Sequence, residues 1–166
     1  NFTNIKFTAA PGTVIKFKNN SNGFDITNTT DISFDGFEFD GNLQKPGSYK
    51  MIHGGNPSIL RISNCKFYQG FWGVFMSNVV DGRIENCEGY EFTQWPFYVE
   101  GCEVFKYLNN KTYNNGYDGL KMAGVNIPNA PSIIKDVTVS GNLSYGNNQD
   151  GLDIAINNAE NVEIYG

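Results

Sequence analysis

Apolar and polar residues in this chain alternate in short bursts, not in helical stripes. The stretches "DISF" (31–34), "ILRIS" (59–63), "GRIEN" (82–86), "VTVSGN" (137–142) and "NVEIYG" (161–166) all read with a period of two. That period sends one face of a strand inward and the other outward. A second pattern is longer. Gly23-Phe24-Asp25-Ile26, Gly73-Val74-Phe75-Met76, Gly119-Leu120-Lys121-Met122 and Gly151-Leu152-Asp153-Ile154 share one frame, and Pro96-Phe97-Tyr98-Val99 fits it with Pro in place of Gly. Positions 73 and 96 differ by 23, as do 96 and 119. Positions 119 and 151 differ by 32, and 23 and 73 by 50, room for two repeats.

Two further columns keep this register independently. Cys65, Cys87, Asn110 and Asn142 are spaced by 22, 23 and 32, and so are Tyr68, Tyr90, Tyr113 and Tyr145. The excess of about nine residues in the last interval falls on "NIPNAPSII" (126–134), whose two prolines predict an outward loop. A repeat of roughly 23 residues built from short strands cannot bury its apolar face alone, but it can when stacked on its neighbours. The pattern therefore predicts an all-β fold, a single-stranded parallel β-helix of about seven coils. Phe24, Val74, Phe97, Leu120 and Leu152 should form one interior column, and Ile26, Met76, Val99, Met122 and Ile154 a second. Asn110 and Asn142 read as an amide ladder between coils. Cys65 and Cys87 then occupy the same ladder as small buried residues, and the Tyr column should run beside a corner.

Composition narrows the class. Only 17% of residues are charged, Gly numbers 19, and Phe, Tyr, Ile and Val dominate the apolar set. A net charge of -5 without a basic run argues against nucleic acid as a partner. No stretch approaches the roughly 20 apolar residues of a membrane span. Three cysteines without CxxC or Cys/His zinc spacing point to buried thiols, not to a disulfide framework, and no metal site is predicted from them.

"PGTVIKFKN…GFDITNTTDISFDGFEFDGN" (Pro11–Asn42) resembles the early coils of the pectate-lyase-like right-handed parallel β-helix superfamily. At the level of coils the resemblance covers essentially the whole chain. Phage tailspike and appendage proteins, polysaccharide lyases and family 28 glycoside hydrolases share such coils. The resemblance implies a polysaccharide partner and an extracellular or virion-surface location, and makes a homotrimer a candidate assembly. It does not choose a reaction, since the fold hosts hydrolases, lyases and inert spikes.

With the interior columns fixed, Phe75, Tyr98, Lys121 and Asp153 should point outward, beside Trp72, Trp95, Asp118 and Asp150 from the positions just before the frame. Neighbouring parallel strands lie about 4.8 Å apart, so one face should run from aromatic (Trp72, Phe75, Trp95, Tyr98) to charged (Tyr117, Asp118, Lys121, Asp150, Asp153). Such a face suits sugar rings, which stack on aromatic side chains while carboxylates meet hydroxyls or move protons. "NQDGLD" (Asn148–Asp153) is similar to the Asn-Thr-Asp-Gly-Ile-Asp motif of family 28 glycoside hydrolases, with Gln149 where the motif has Thr. That similarity implies Asp150 as a catalytic carboxylate and Gln149 beside the substrate. The motif's partners, a further Asp, Gly-His-Gly and Arg-x-Lys, would fall past Gly166.

Two chemistries stay open. Inverting hydrolysis needs two carboxyls about 6.5–9.5 Å apart, which Asp118, Asp150 and Asp153 could supply. A lyase would use Lys121 as base near a Ca²⁺ held by carboxylates; otherwise no cofactor is implied. Each site residue also has a structural reading. Asp-Gly pairs favour turns because both residues tolerate φ > 0, which applies to Asp118-Gly119 and Asp150-Gly151 and is the reading preferred for Asp35-Gly36 and Asp40-Gly41, which have no aromatic company. Lys121 and Asp153 could simply pair. The tryptophans bind something or are covered by a loop or a subunit. His53 has no secure register. Gly166 is the counterpart of Gly141, so the expectation is a β-helix domain over 1–166, incomplete at both ends.

Overall fold

A computed structural model describes residues 3–18, 22–42, 49–124, 126–127, 130–131, 134–155 and 159–166 of the 166-residue chain. The chain is an all-β parallel solenoid of about six turns. Its strands form three stacked faces. The first carries Phe24–Asp25, Lys50–Gly55, the leading part of Trp72–Glu85, the leading part of Phe97–Leu108, Leu120–Ala123 and Leu152–Ile154. The second carries Ile5–Thr8, Asp31–Asp35, Ile59–Ser63, the trailing parts of the two long strands, Ile134–Ser140 and Ala159–Tyr165. The third is a six-stranded sheet of three-residue strands running from Val14–Lys16 to Leu143–Tyr145. Among the described residues seven strands stack on the second face and six on each of the others, giving about six turns, close to the seven coils expected.

The interior columns follow the expected register. Phe24 pairs with Ile52, Ile52 with Val74, Val74 with Phe97, Phe97 with Leu120 and Leu120 with Leu152. Ile52 fills the coil that the spacing between 23 and 73 left blank. In the second column Gly54 stands between Ile26 and Met76, and a Cβ there would lie 2.8 Å from the Ile26 carbonyl carbon, so the coils pack too closely for a side chain. Phe39 stacks on Phe67 at 4.6 Å between ring centroids, and Phe67 meets Phe97 edge-on at 5.6 Å. Burial of these rings is the main stabilising term, at about 25 cal/mol per Å² of apolar surface.

Side chains satisfy the polar atoms between coils. Asn110 is buried; its Oδ1 accepts from the Cys87 amide at 2.9 Å, and its Nδ2 donates to the Ile84 carbonyl at 2.9 Å and to Asn142 Oδ1 at 3.1 Å. Cys65 and Cys87 continue the column as buried free thiols, and Cys102 is also free and buried. A second ladder joins Asn115 to Asn147 at 2.9 Å and caps the Phe92 amide at 3.1 Å. Truncating Asn110 to Ala would orphan two buried backbone groups, each worth about 1–3 kcal/mol. Urea unfolding should therefore show a loss of at least about 2 kcal/mol. Asn109→Gly, at a residue with φ 54°, should be near neutral.

The abundance of asparagine has a further cause. Ten of the thirteen described non-glycine residues with positive φ are Asn, and they stand at corners. Asn28, Asn56, Asn78 and Gly101 turn the chain from the first face to the second; Gly36, Asn64, Asn86, Asn109 and Gly141 turn it to the third. Asn tolerates the left-handed region better than other side chains. The tyrosine column lies just before the third corner. Its rings stack at 5.3, 4.9 and 5.2 Å with interplanar angles of 10° or less. Asp35 takes the structural role expected of it, accepting from Ser63 Oγ at 2.9 Å and Asn64 Nδ2 at 2.8 Å, and Asp40 caps the Asn42 amide.

The insertion expected as a loop contains a two-stranded antiparallel ribbon, Asn126–Ile127 against Ala130–Pro131; residues 128–129 and 132–133 lie outside the described residues. Among the described residues no helix is long and apolar enough to cross a membrane.

Candidate functional site: an aromatic platform beside three carboxylates

Strand alternation on the first face fixes what points out. Asp25, His53, Phe75, Tyr98, Lys121 and Asp153 pair in sequence along one outward row. His53 thus enters the row between Asp25 and Phe75. Burial pushes its imidazole below the ordinary value, partly offset by the Asp25 carboxylate, while Thr27 hydrogen bonds hold Asp25 below the usual carboxylate range.

The aromatic residues form one contiguous, half-buried cluster. Trp72 lies 4.9 Å from Phe75, 5.3 Å from Trp95 and 5.6 Å from Tyr98 between ring centroids. Trp95 lies 5.2 Å from Tyr98 and 4.8 Å from Tyr117, and Phe71 stacks on Trp72 at 6.3 Å and 8°. Lys50 Nζ sits 4.2 Å from the Phe75 ring centre and 4.9 Å from that of Trp72, a cation–π contact at one end of the platform. Gln94 Oε1 accepts from the Trp72 indole N–H. Burial, then a hydrogen bond from its hydroxyl to Glu100, pushes the Tyr98 phenol well above its ordinary value.

The carboxylates separate into three environments. Asp118 was expected on the outward face, but it is only 1% exposed. Its Oδ2 accepts from the Trp95 indole N–H at 2.9 Å and its Oδ1 from the Asp150 amide at 2.9 Å. Its side chain ties two neighbouring coils together and braces the platform from behind. Asp153 pairs with Lys121, at side-chain exposures of 31% and 22%. Asp150 is exposed and its carboxylate bonds to none of the described residues; Gln149, beside it, is exposed as well.

The two Asp-Gly pairs do not serve as left-handed turns. Neither Asp118, Gly119, Asp150 nor Gly151 has positive φ, unlike Gly36 at 81°. Gly119 is required for space instead: a Cβ there would lie 2.3 Å from both Ser144 Oγ and Thr112 Oγ1.

One oxygen from each of Asp118, Asp150 and Asp153 lies within 4.8 Å of the others. That is tighter than the roughly 6.5–9.5 Å that an inverting pair keeps open for water, and nearer the roughly 5–5.5 Å of a retaining pair. The same three oxygens are hard donors of the kind Ca²⁺ takes, but an ion would compete with Lys121 for Asp153 and with two N–H donors for Asp118. The structure thus clusters Trp72, Phe75, Trp95, Tyr98 and Tyr117, ties Asp118 to Trp95, and sets Asp118, Asp150 and Asp153 beside one another with Lys121 on Asp153, while Gln149 is exposed next to Asp150 in the chain. The sequence reading missed Lys50, Phe71, Gln94 and Glu100. Lys50 precedes Trp72 by the same interval that separates Cys65 from Cys87, and that spacing was its one available signal.

Comparison with protein-family models, curated proteins and solved structures finds no match.

Proposed function

We propose that this solenoid is a polysaccharide-recognising domain whose ligand lies on the Trp72/Phe75/Trp95/Tyr98/Tyr117 platform. The observation that carries the reading is the platform itself. Five aromatic side chains on an outward face, contiguous over three coils and braced from behind by Asp118, form a surface that the fold does not need for its core. Apolar faces of sugar rings stack on such surfaces while their hydroxyls meet flanking polar groups. The resemblance to polysaccharide-acting β-helices agrees with it, and supports a location outside the cell or on a virion surface.

Cleavage, by hydrolysis or β-elimination, falls to Asp150, the exposed carboxylate, with Asp153 as its partner and Asp118 as a positioning residue. For the hydrolase the tight spacing favours a retaining pair. For the lyase, Lys121 must leave Asp153 to act as a base, and added Ca²⁺ would release it. The commitment of Asp118 and Asp153 to internal partners favours a second reading, a spike or adhesin segment that binds glycan without cutting it and assembles as a trimer.

Asp150→Asn tests the assignment on a polysaccharide panel, scored for reducing ends and for unsaturated ends. The expected result is loss of at least about 100-fold in cleavage, the low end for a general acid–base group, with unchanged binding. Equal activity in the variant would remove Asp150 from the mechanism. A parent that binds but releases no ends of either kind would establish the adhesin reading.

A further inference from the structure

Building on the hydrolase and glycan-binding forms of that reading, since β-elimination would need a uronate carboxylate to acidify the abstracted proton, we infer that the platform takes a neutral glycan and discriminates against polyuronates. Planar, bidentate recognition of a carboxylate is best supplied by the fork-shaped guanidinium of arginine. The chain contains two arginines, Arg61 and Arg83; both stand on the second face, and each is bound to a carboxylate of its own, Asp81 and Glu85. No arginine reaches the platform.

The cations among the described residues that reach it are engaged. Lys50 lies over the Trp72 and Phe75 rings, and Lys121 is paired with Asp153. Against these two stand five carboxylates on or behind the same rows: Asp25, Glu100, Asp118, Asp150 and Asp153. A polymer with a carboxylate on every sugar would add like charges to a face already in excess of them, with no donor fork to compensate.

An ammonium-bearing glycan is no better served. Asp118 has both oxygens occupied, Asp153 is neutralised by Lys121, Glu100 lies beside the Tyr98 phenol and Asp25 accepts from Thr27. Only the Asp150 carboxylate among them lacks a partner in the described residues, and a single exposed ion pair contributes about 0–1 kcal/mol. What remains for affinity is ring stacking and hydroxyl hydrogen bonding, the chemistry of uncharged sugars.

The test uses the intact chain in affinity electrophoresis and calorimetry against neutral polymers (xylan, mannan, mixed-linkage β-glucan), polyuronates (polygalacturonate, alginate) and chitosan. Each is measured at about 20 mM and about 300 mM salt, on either side of a Debye length of roughly 10 Å. The expected result is a neutral polymer bound at least about tenfold tighter than any polyuronate, with little change on adding salt. Asp150→Lys should then raise polyuronate affinity about three- to tenfold, and salt should abolish the gain. A polyuronate bound as tightly as any neutral polymer, or chitosan bound tightest and released by salt, would overturn the inference while leaving the platform reading intact. Binding to none of the polymers would overturn both.

Discussion

Trp95→Ala is expected to weaken glycan binding by at least about 30-fold. Trp95 stands at the centre of the platform, with Trp72, Tyr98 and Tyr117 all within 5.3 Å between ring centroids. Truncating a central, well-packed tryptophan at an interface typically costs about 2 kcal/mol or more. Each step of about 1.4 kcal/mol is tenfold in affinity. The substitution also leaves Asp118 Oδ2 buried without its donor, so part of any loss comes from a loosened fold. Trp95→Phe separates the two effects. It keeps an aromatic face but removes the indole N–H that Asp118 accepts at 2.9 Å. Stability should therefore fall by about 1–3 kcal/mol while binding falls only a few-fold. Tyr98→Phe, which retains the ring and frees Glu100, should leave affinity within about threefold if stacking dominates. Calorimetry on the neutral polymer that binds the parent tightest reads the affinities, and urea unfolding reads the stabilities. A Trp95→Ala protein that folds and binds like the parent would mean that the glycan lies elsewhere.

The division between Trp95 and Asp118 also shows where sequence pattern ends. The repeat was legible because two columns kept the intervals 22, 23 and 32, and strand alternation then placed Phe75, Tyr98, Lys121 and Asp153 outward. Those assignments need only periodicity, which is a property of the chain itself. The fate of Asp118 depends on distant partners, the indole N–H of Trp95 and the backbone amide of Asp150, that only the stacked coils bring within reach. Asp150 carries the same Asp-Gly-Leu signature one coil on, yet it is exposed, because no donor from the described residues reaches its side chain. The corners escaped notice for a different reason. Left-handed backbone is specified by single residues, and Asn28, Asn56, Asn78 and Gly101 are spaced by 28, 22 and 23, with glycine substituting for asparagine at the end. Their intervals of 22 and 23 match those of the legible columns, but the exchange of asparagine for glycine hides the backbone conformation they share. The ribbon at 126–131 was visible as an insertion but not as paired strands, since its prolines advertise only a break.

Phe97→Ala should lower stability by about 3–5 kcal/mol, whereas Leu152→Ala should cost only about 1 kcal/mol although both residues occupy the same interior column. Phe97 is fully buried, pairs with Val74 on one side and Leu120 on the other, and packs against Phe67 at 5.6 Å and Tyr107 at 5.7 Å. Its ring also bears on the third face, where a Cβ at Gly89 would stand 3.0 Å from it. In a solenoid the free energy is close to a sum of coil terms and nearest-neighbour interfaces, so truncation here damages two interfaces at once. Leu152 is half-buried and, among the described residues, pairs with Leu120 alone. For a chain of this length about 1 kcal/mol shifts Tm by roughly 2–4 °C, which puts the expected drops near roughly 10 °C and about 3 °C. The two variants also differ in what they do to the site. Tyr98 follows Phe97 directly on its strand, so a cavity beneath the middle coil lets the platform sag and weakens glycan binding along with stability. Asp153 follows Leu152, and loosening that coil disturbs the Lys121 pair while leaving the aromatic rings in place. Equal losses of stability from the two substitutions would show that the coils do not act as nearest-neighbour units. Unchanged glycan affinity in a folded Phe97→Ala protein would uncouple the platform from the core that supports it.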